Sequence, residues 1–230
     1  MPGGAANVAR NLAALRVPTE LFSVIGRDGA GKRLKGLLSE ANVGSDGCLC
    51  SDSSVTTVKT RIIAHRQQVV RLDRECVRLP DKRAVSRLMR LVEEKIGSAA
   101  ALIVGDYGKG IVSQQLLNWL KETCRAHGVW LSMDPKPART LDLSAVSLLT
   151  PNRKEAFELA RASDTVRASD PLKDEDLLGV ASTLLATLRP GVLLITLGEH
   201  GMLLCEDGNR ASTFQLLQNK FSMFQARATR

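Results

Sequence analysis

Four apolar runs in the middle of the chain each stop at a short polar cluster bearing glycine or proline. Ala101–Val104 precedes Asp106-Tyr107-Gly108-Lys109-Gly110, and Trp130–Met133 precedes Asp134-Pro135-Lys136. Val146–Leu149 precedes Thr150-Pro151-Asn152, and Val192–Ile195 precedes Thr196-Leu197-Gly198-Glu199-His200-Gly201. Such runs, separated by amphipathic stretches, read as parallel strands joined by right-handed helical crossovers. In an open α/β sheet ligands gather beyond the carboxyl ends of the strands, so a single site fed by several strands is expected.

The stretches between and before these runs carry helical spacing. Val8, Leu12 and Leu15 recur among alanines over residues 5–16, and Leu34, Leu37 and Leu38 share one side of a helix over residues 30–41. Val85, Leu88, Met89, Val92 and Ile96 mark a longer helix. Ser113 is positioned to cap a helix whose stripe is Leu116, Leu117, Leu120 and Cys124. Asp170 followed by Pro171 suits the cap and first position of the helix carrying Leu177, Ala181, Leu184, Leu185 and Leu188. Residues 19–25 read as one more strand, closed by Gly26, and residues 162–173 as a surface loop.

Residues 56–73 differ, because β-branched residues dominate. Val58, Thr60, Ile62 and Ala64 alternate with Lys59, Arg61 and His65, and a second run, Val69-Val70-Arg71-Leu72, follows Gln67-Gln68. Two antiparallel strands with one basic face, outside the main sheet, are expected. The fold class is therefore α/β: a doubly wound, mostly parallel sheet flanked by helices, with a small β lid over about residues 55–73. No internal repeat or long linker divides it.

Composition narrows the function classes. At 230 residues and 44% hydrophobic the chain can bury a real core. No apolar run approaches the roughly 18 residues of a membrane helix, and the N-terminus opens on glycines, so the cytoplasm is the default compartment and no membrane partner is expected. Five cysteines without framework spacing argue against a disulfide scaffold, and Cys48-Leu49-Cys50 has no second pair to make a zinc site. The net charge of +8 invites a nucleic-acid reading, yet Arg210, Lys220, Arg227 and Arg230 carry half of it in an acid-free tail over residues 209–230. The body is only mildly basic and aromatics are 3%, which fits an anionic small substrate better than base stacking.

Gly26-Arg27-Asp28-Gly29-Ala30-Gly31-Lys32-Arg33 nearly fits a phosphate-binding P-loop, but Arg33 stands where a magnesium-holding hydroxyl belongs. A glycine-rich strand-to-helix turn is the simpler reading. Gly3-Gly4 before a helix could offer free amides to a polar ligand, or be an ordinary helix entry. Asp106 and Lys109 can face one cleft or form a surface ion pair, and Asn152 with Glu155 can be a capping box and nothing more. His65, His127 and His200 share no metal-ligand spacing.

Taken in order, Gly3-Gly4-Ala5-Ala6-Asn7-Val8-Ala9, Gly26-Arg27-Asp28 with Gly31, Asp106 to Gly110, Asp134-Pro135-Lys136, Thr150-Pro151-Asn152 to Glu155, and Thr196-Leu197-Gly198 to Gly201 resemble the ribokinase-like (PfkB) carbohydrate kinases. Residues 58–73 are most similar to the branch acting on D-glycero-β-D-manno-heptose 7-phosphate. The resemblance covers about residues 3–208, leaving 209–230 as a basic tail unlike the family. It implies ATP- and Mg2+-dependent phosphoryl transfer to the sugar's anomeric hydroxyl, a step preparing nucleotide activation in ADP-heptose and lipopolysaccharide core synthesis. Gly3, Gly4 and Asn7 would contact the sugar, Lys59, Arg61 and Arg71 its phosphate, and Asp106 and Lys109 would line the same cleft. Asn152, Arg153, Lys154 and Glu155 match the nucleotide-side motif, with Glu155 acting on metal-bound water, and Thr196, Gly198 and Gly201 match the loop that cradles ATP. A homodimer formed through the lid is a further implication.

The family's first strand carries a substrate-binding aspartate, and the chain opens on the glycines that follow it. The family's catalytic aspartate lies in a glycine-alanine-glycine-aspartate segment that residues 209–230 do not contain. No catalytic and no direct metal-binding residue is therefore assigned, the fold is expected to be incomplete at both ends, and the chain alone is expected to be nearly inactive. Two other readings stay open: a non-catalytic module holding nucleotide or sugar phosphate, and a kinase for another sugar. Nucleic-acid binding through the tail ranks last.

Overall fold

The computed structural model describes residues 1–65, 67–75, 81–137, 141–165, 168–206 and 210–214. Contacts divide the chain into two units, Met1–Trp130 and Leu131–Arg230.

In the first unit, α1 (Ala5–Ala14) starts at Gly4, which has φ +54° and no side-chain cap. The expected stripe of Val8, Leu12 and Leu15 is not its buried face, since Val8 is 38% and Leu15 75% exposed. Ala6 and Ala9, with Ala5 and Ala13 beside them, pack instead on Leu21, Ile25, Leu38, Val43 and Cys48. Methyl-sized side chains let the helix backbone approach its neighbours closely, and that close fit outweighs burying the larger side chains here.

β1 (Ser23–Gly26) pairs in parallel with β2 (Cys48–Ser51), and α2 (Gly29–Glu40) connects them. The strand expected over residues 19–25 joins this ladder only from Ser23, and Glu20 adds an isolated bridge to Gly44. β2 was not legible in the sequence, because four residues show no periodicity. Burial pushes the Cys48 thiol up to about 11, which keeps it an inert packing group.

β3 (Val58–Ala64) and β4 (Gln67–Arg74) form the expected antiparallel ribbon, with a register irregularity between Ile62 and Ile63. α3 (Lys82–Ile96) buries Leu88, Val92 and Ile96, and α4 (Gln114–His127) buries Leu116, Leu117, Leu120 and Cys124. The two helices pack together. Ser113 caps α4 as expected, its Oγ accepting from Leu116 N at 3.2 Å. β5 (Ala101–Gly105) runs between them in sequence and ends at Asp106.

In the second unit, β6 (Trp130–Asp134), β7 (Leu148–Leu149) and β8 (Val192–Thr196) pair in parallel. β9 (Met202–Glu206) and β10 (Arg210–Phe214) extend this sheet as antiparallel neighbours of β8, so the sheet is mixed beyond β8. β7 is shorter than the run 146–149. Ser147 nonetheless donates to Leu131 O and accepts from Val192 N, so the backbone there stays paired.

Met133, Leu149, Leu193, Ile195 and Leu203 are fully buried. α5 (Arg153–Ala160) and α6 (Glu175–Leu188) pack against each other. The expected cap at Asp170 needs correction. Asp170 caps a single 3-10 turn over Pro171–Lys173, and α6 starts under Asp174, whose Oδ1 accepts from Leu177 N at 2.9 Å. Glu175 and Asp176 in the first turn favour that start, because carboxylates complement the positive end of the helix.

The basic tail lies outside the described residues except for 210–214, which belong to β10. Among the described residues no helix is long and apolar enough to cross a membrane.

Candidate active site

Each unit gathers one set of the expected site residues. In the second unit three consecutive parallel strands end together. Asp134 closes β6, Thr150 follows β7 and Thr196 closes β8; with Asn152 and Glu155 they line a cleft of about 360 Å3. The backbone holds this rim by Thr196 N donating to Pro151 O at 3.0 Å, and Thr150 Oγ1 donates to Met133 O at 3.2 Å.

Asn152 and Glu155 form the full capping box. Asn152 Oδ1 accepts from Glu155 N at 2.9 Å, and Glu155 Oε2 accepts from Asn152 N at 3.0 Å. The capping box is real, and the same geometry brings the Glu155 carboxylate and the Asn152 amide to the cleft. Asp134 and Thr150 sit in motifs the sequence singled out, yet no site role was assigned to either. The signal available is their place at or just past strand ends, where ligands gather in an open α/β sheet.

Thr196 leads into the turn of Gly198 (φ +62°) and Gly201 (φ +84°), closed by Leu197 N donating to Gly201 O at 2.9 Å. Arg153 and Lys154 are not among the cleft's lining residues. Arg153 makes a forked contact to Asp164, 2.7 Å from Nη2 to Oδ1, and its Nη1 donates to Asp174 Oδ2 at 2.8 Å. Asp164 first, and Asp174 with it, hold the guanidinium proton more firmly than usual, against the opposing effect of burial. The guanidinium also lies 4.9 Å from the Phe157 ring centre. Lys154 is exposed and paired with Glu158 one helical turn on.

The first unit brings the glycine-rich helix entry and the 106–109 turn together through one ring. Gly4 has φ +54°, a conformation that favours glycine, and a Cβ there would lie 3.3 Å from the Tyr107 ring. Gly3 has open space around it. Asn7 lies one turn into α1, its N–H on Gly4 O at 3.0 Å and its Oδ1 accepting from Arg10 at 3.2 Å. Asp106 is buried, and its Oδ1 accepts from Gly108 N at 2.8 Å, which fixes the turn. Lys109 pairs with Glu75, the residue after β4.

On the ribbon, Lys59 lies opposite Asp73 and Arg61 opposite Arg71. Residues directly opposite share a face, so Lys59, Arg61, Arg71 and Asp73 make the expected basic face. Arg71 is 3.0 Å and Lys59 3.9 Å from Asp73, leaving that face with three cations to one carboxylate. The other face carries Ile62, Val70 and Leu72, exposed at 45%, 40% and 55%.

The oxygen-only donors of the cleft, two carboxylates, two hydroxyls and an amide, suit a hard cation such as magnesium rather than zinc or copper. Among the described residues no three His, Cys, Asp or Glu gather as a ready metal cage.

The profile of the pfkB family carbohydrate kinases matches residues 1–218. The chain is 34% identical over 206 residues to the bifunctional protein HldE of Desulfatibacillum aliphaticivorans, covering 90% of this chain and 41% of that protein. It is 33% identical over 211 residues to the HldE of Helicobacter pylori strain P12, covering 90% and 43%. The chain thus spans about two fifths of the length of these relatives. Among solved structures, Arabidopsis thaliana ribokinase complexed with ribose and ATP superposes with a TM-score of 0.72 at 16% identity, covering 94% of this chain and 67% of that one. The tetrameric inhibited form of Escherichia coli phosphofructokinase-2 gives 0.69 at 19%, covering 93% and 67%. These likenesses establish a ribokinase-like α/β fold.

Proposed function

The chain belongs to the pfkB family of carbohydrate kinases, and on that footing we propose that it serves ATP-dependent phosphorylation of the anomeric hydroxyl of a heptose 7-phosphate. The observation that carries the substrate class is the pair Arg61 and Arg71. Two guanidinium groups facing each other across an antiparallel ribbon repel, and a dianionic phosphate between them turns that cost into two charge-assisted contacts. The HldE relatives point to the same class.

Gly3, Gly4 and Asn7 orient the sugar, with Asp106 and Lys109 beside them, and Lys59, Arg61 and Arg71 hold its phosphate. Asn152, Glu155, Thr196, Gly198 and Gly201 serve the nucleotide. Arg153 and Lys154 act from outside the cleft, Arg153 by holding α5 and α6 together. Magnesium bound with ATP would supply neutralisation of phosphate charge, and Asp134 and Glu155 would be the residues to hold it. Phosphoryl transfer asks chiefly for such positioning and charge stabilisation.

We assign residues 1–208 to the kinase domain, with the β3–β4 ribbon as its lid. The ribbon's apolar face, Ile62, Val70 and Leu72, is the proposed contact between two copies of the chain. The 230 residues contain no glycine-alanine-glycine-aspartate segment, so slow turnover by the chain alone is expected, about 10²–10⁴ below a complete site. The compartment we assign is the cytoplasm, where ATP and sugar phosphates are found.

The test is calorimetry with ATP and with D-glycero-β-D-manno-heptose 7-phosphate beside a turnover assay against fructose 6-phosphate and ribose. Heptose phosphate bound in preference to the other two supports the reading. Binding without product would leave a holding module, and preference for another sugar would reassign the substrate.

A further inference from the structure

The glycine-rich turn at residues 26–31, which resembles a phosphate loop in sequence, is occupied by the chain itself. Thr56, two residues ahead of β3, donates its N–H to Asp28 Oδ2 at 3.1 Å. Its Oγ1 accepts from Gly26 N at 2.9 Å. Arg74, the last residue of β4, lies 3.5 Å from the same Oδ2. The other oxygen, Oδ1, accepts from Gly31 N at 2.8 Å and caps α2.

One carboxylate therefore joins the β1–α2 turn to both feet of the ribbon. The fit is tight, because a Cβ on Gly31 would lie 2.4 Å from Gly26 O and 3.0 Å from Thr56 Oγ1. Beyond its feet the ribbon is mostly solvent-exposed on both faces, so little except these attachments fixes its direction. Glu75, the next residue, adds a second tether through Lys109.

We propose that Asp28 is a positioning residue that anchors the β3–β4 ribbon and thereby aims Lys59, Arg61 and Arg71. Its aim toward sugar phosphate rests on the basic face being the sugar-phosphate site; the anchor itself does not. Asp28 touches no expected substrate atom and acts through the ribbon alone.

Asp28→Asn isolates this role. Asparagine caps a helix as well as aspartate and keeps an acceptor for Gly31 N, but it turns an amide N–H2 toward the Thr56 N–H and offers no charge to Arg74. In the full chain, hydrogen exchange of the amides in residues 58–64 and 67–74 is expected to quicken about tenfold while α2 amides keep their protection. Affinity for D-glycero-β-D-manno-heptose 7-phosphate is expected to fall several-fold, with the thermal midpoint at neutral pH lowered by about 2–4 °C. Arg74→Gln, a change at an exposed side chain, is expected to move both readouts less and in the same direction, and it carries the test if Asp28→Asn does not fold.

Ribbon exchange at the wild-type rate in both variants would overturn the anchor, as would equal quickening in α2. Faster ribbon exchange with unchanged sugar-phosphate affinity would keep the anchor and overturn the phosphate reading of the basic face.

Discussion

Arg61 and Arg71 face each other across the β3–β4 ribbon with Asp73 as the nearest carboxylate on that side. Arg61→Gln, which leaves the Arg71–Asp73 pair in place, is expected to stabilise the free ribbon slightly, by about 0.2–1 kcal/mol, since a cross-strand like-charge pair is relieved. The same change is expected to weaken heptose-phosphate binding by on the order of tenfold. Opposite signs in denaturation and calorimetry are the signature. A ribbon that only packs would lose stability and leave affinity alone.

The capping box lets stability and chemistry be separated at α5. Asn152→Ala removes the cap and is expected to cost about 1 kcal/mol, a few degrees in thermal midpoint for a chain of this size. Glu155→Gln keeps the capping geometry, because glutamine serves at that position, and removes the charge facing the cleft. Its midpoint is expected to stay put while magnesium-dependent ATP binding weakens at least tenfold. Equal loss of stability in both variants would reduce Glu155 to a capping residue.

Arg153 was singled out by the sequence for the nucleotide, and its contacts lead elsewhere. Its forked bond to Asp164 and its bond to the buried Asp174 hold the segment before α6 against α5. Arg153→Ala leaves Asp174 buried without its cation, which is expected to cost about 3 kcal/mol in urea denaturation. Nucleotide affinity measured well below the melting range is expected to change little.

The anchor also predicts a pH dependence. The Gly31 N–H bond, then the bonds from Thr56, hold the Asp28 carboxyl below its ordinary 3.8, against the opposing effect of burial. A depressed folded value means the contribution is full above the unfolded value and is lost as pH falls through the folded one. The stability gap between wild type and Asp28→Asn is therefore expected to be constant from about pH 5 to 7 and to close below pH 4. A gap that widened on acidification would contradict the charged anchor.

Long periodic segments and short polar clusters were legible for different physical reasons. α4 followed from Leu116, Leu117, Leu120 and Cys124 at helical spacing, and the ribbon from β-branched residues alternating with Lys59 and Arg61 as far as Ile62. β2 was missed because Cys48–Ser51 is too short to show a period, and β9 and β10 because antiparallel return strands carry no crossover helix to announce them. The buried face of α1 was misread since alanine spacing is ambiguous between filler and contact surface. In the site, Asn152, Glu155 and Thr196 were legible through the order of motifs that resembles the family, since taken alone Asn152 and Glu155 read as a capping box. The tethers of Arg153 and Lys109 could not, because their partners Asp164, Asp174 and Glu75 are distant in sequence and carry no motif.

Gly4 lies under the ring of Tyr107, and the chain has a single tyrosine. Biosynthetic replacement by 3-fluorotyrosine would therefore put one fluorine label beside the glycine pair. A shift of its nuclear magnetic resonance line on adding sugar phosphate would test the proposed sugar contact at the glycine pair, with no competing signal to assign.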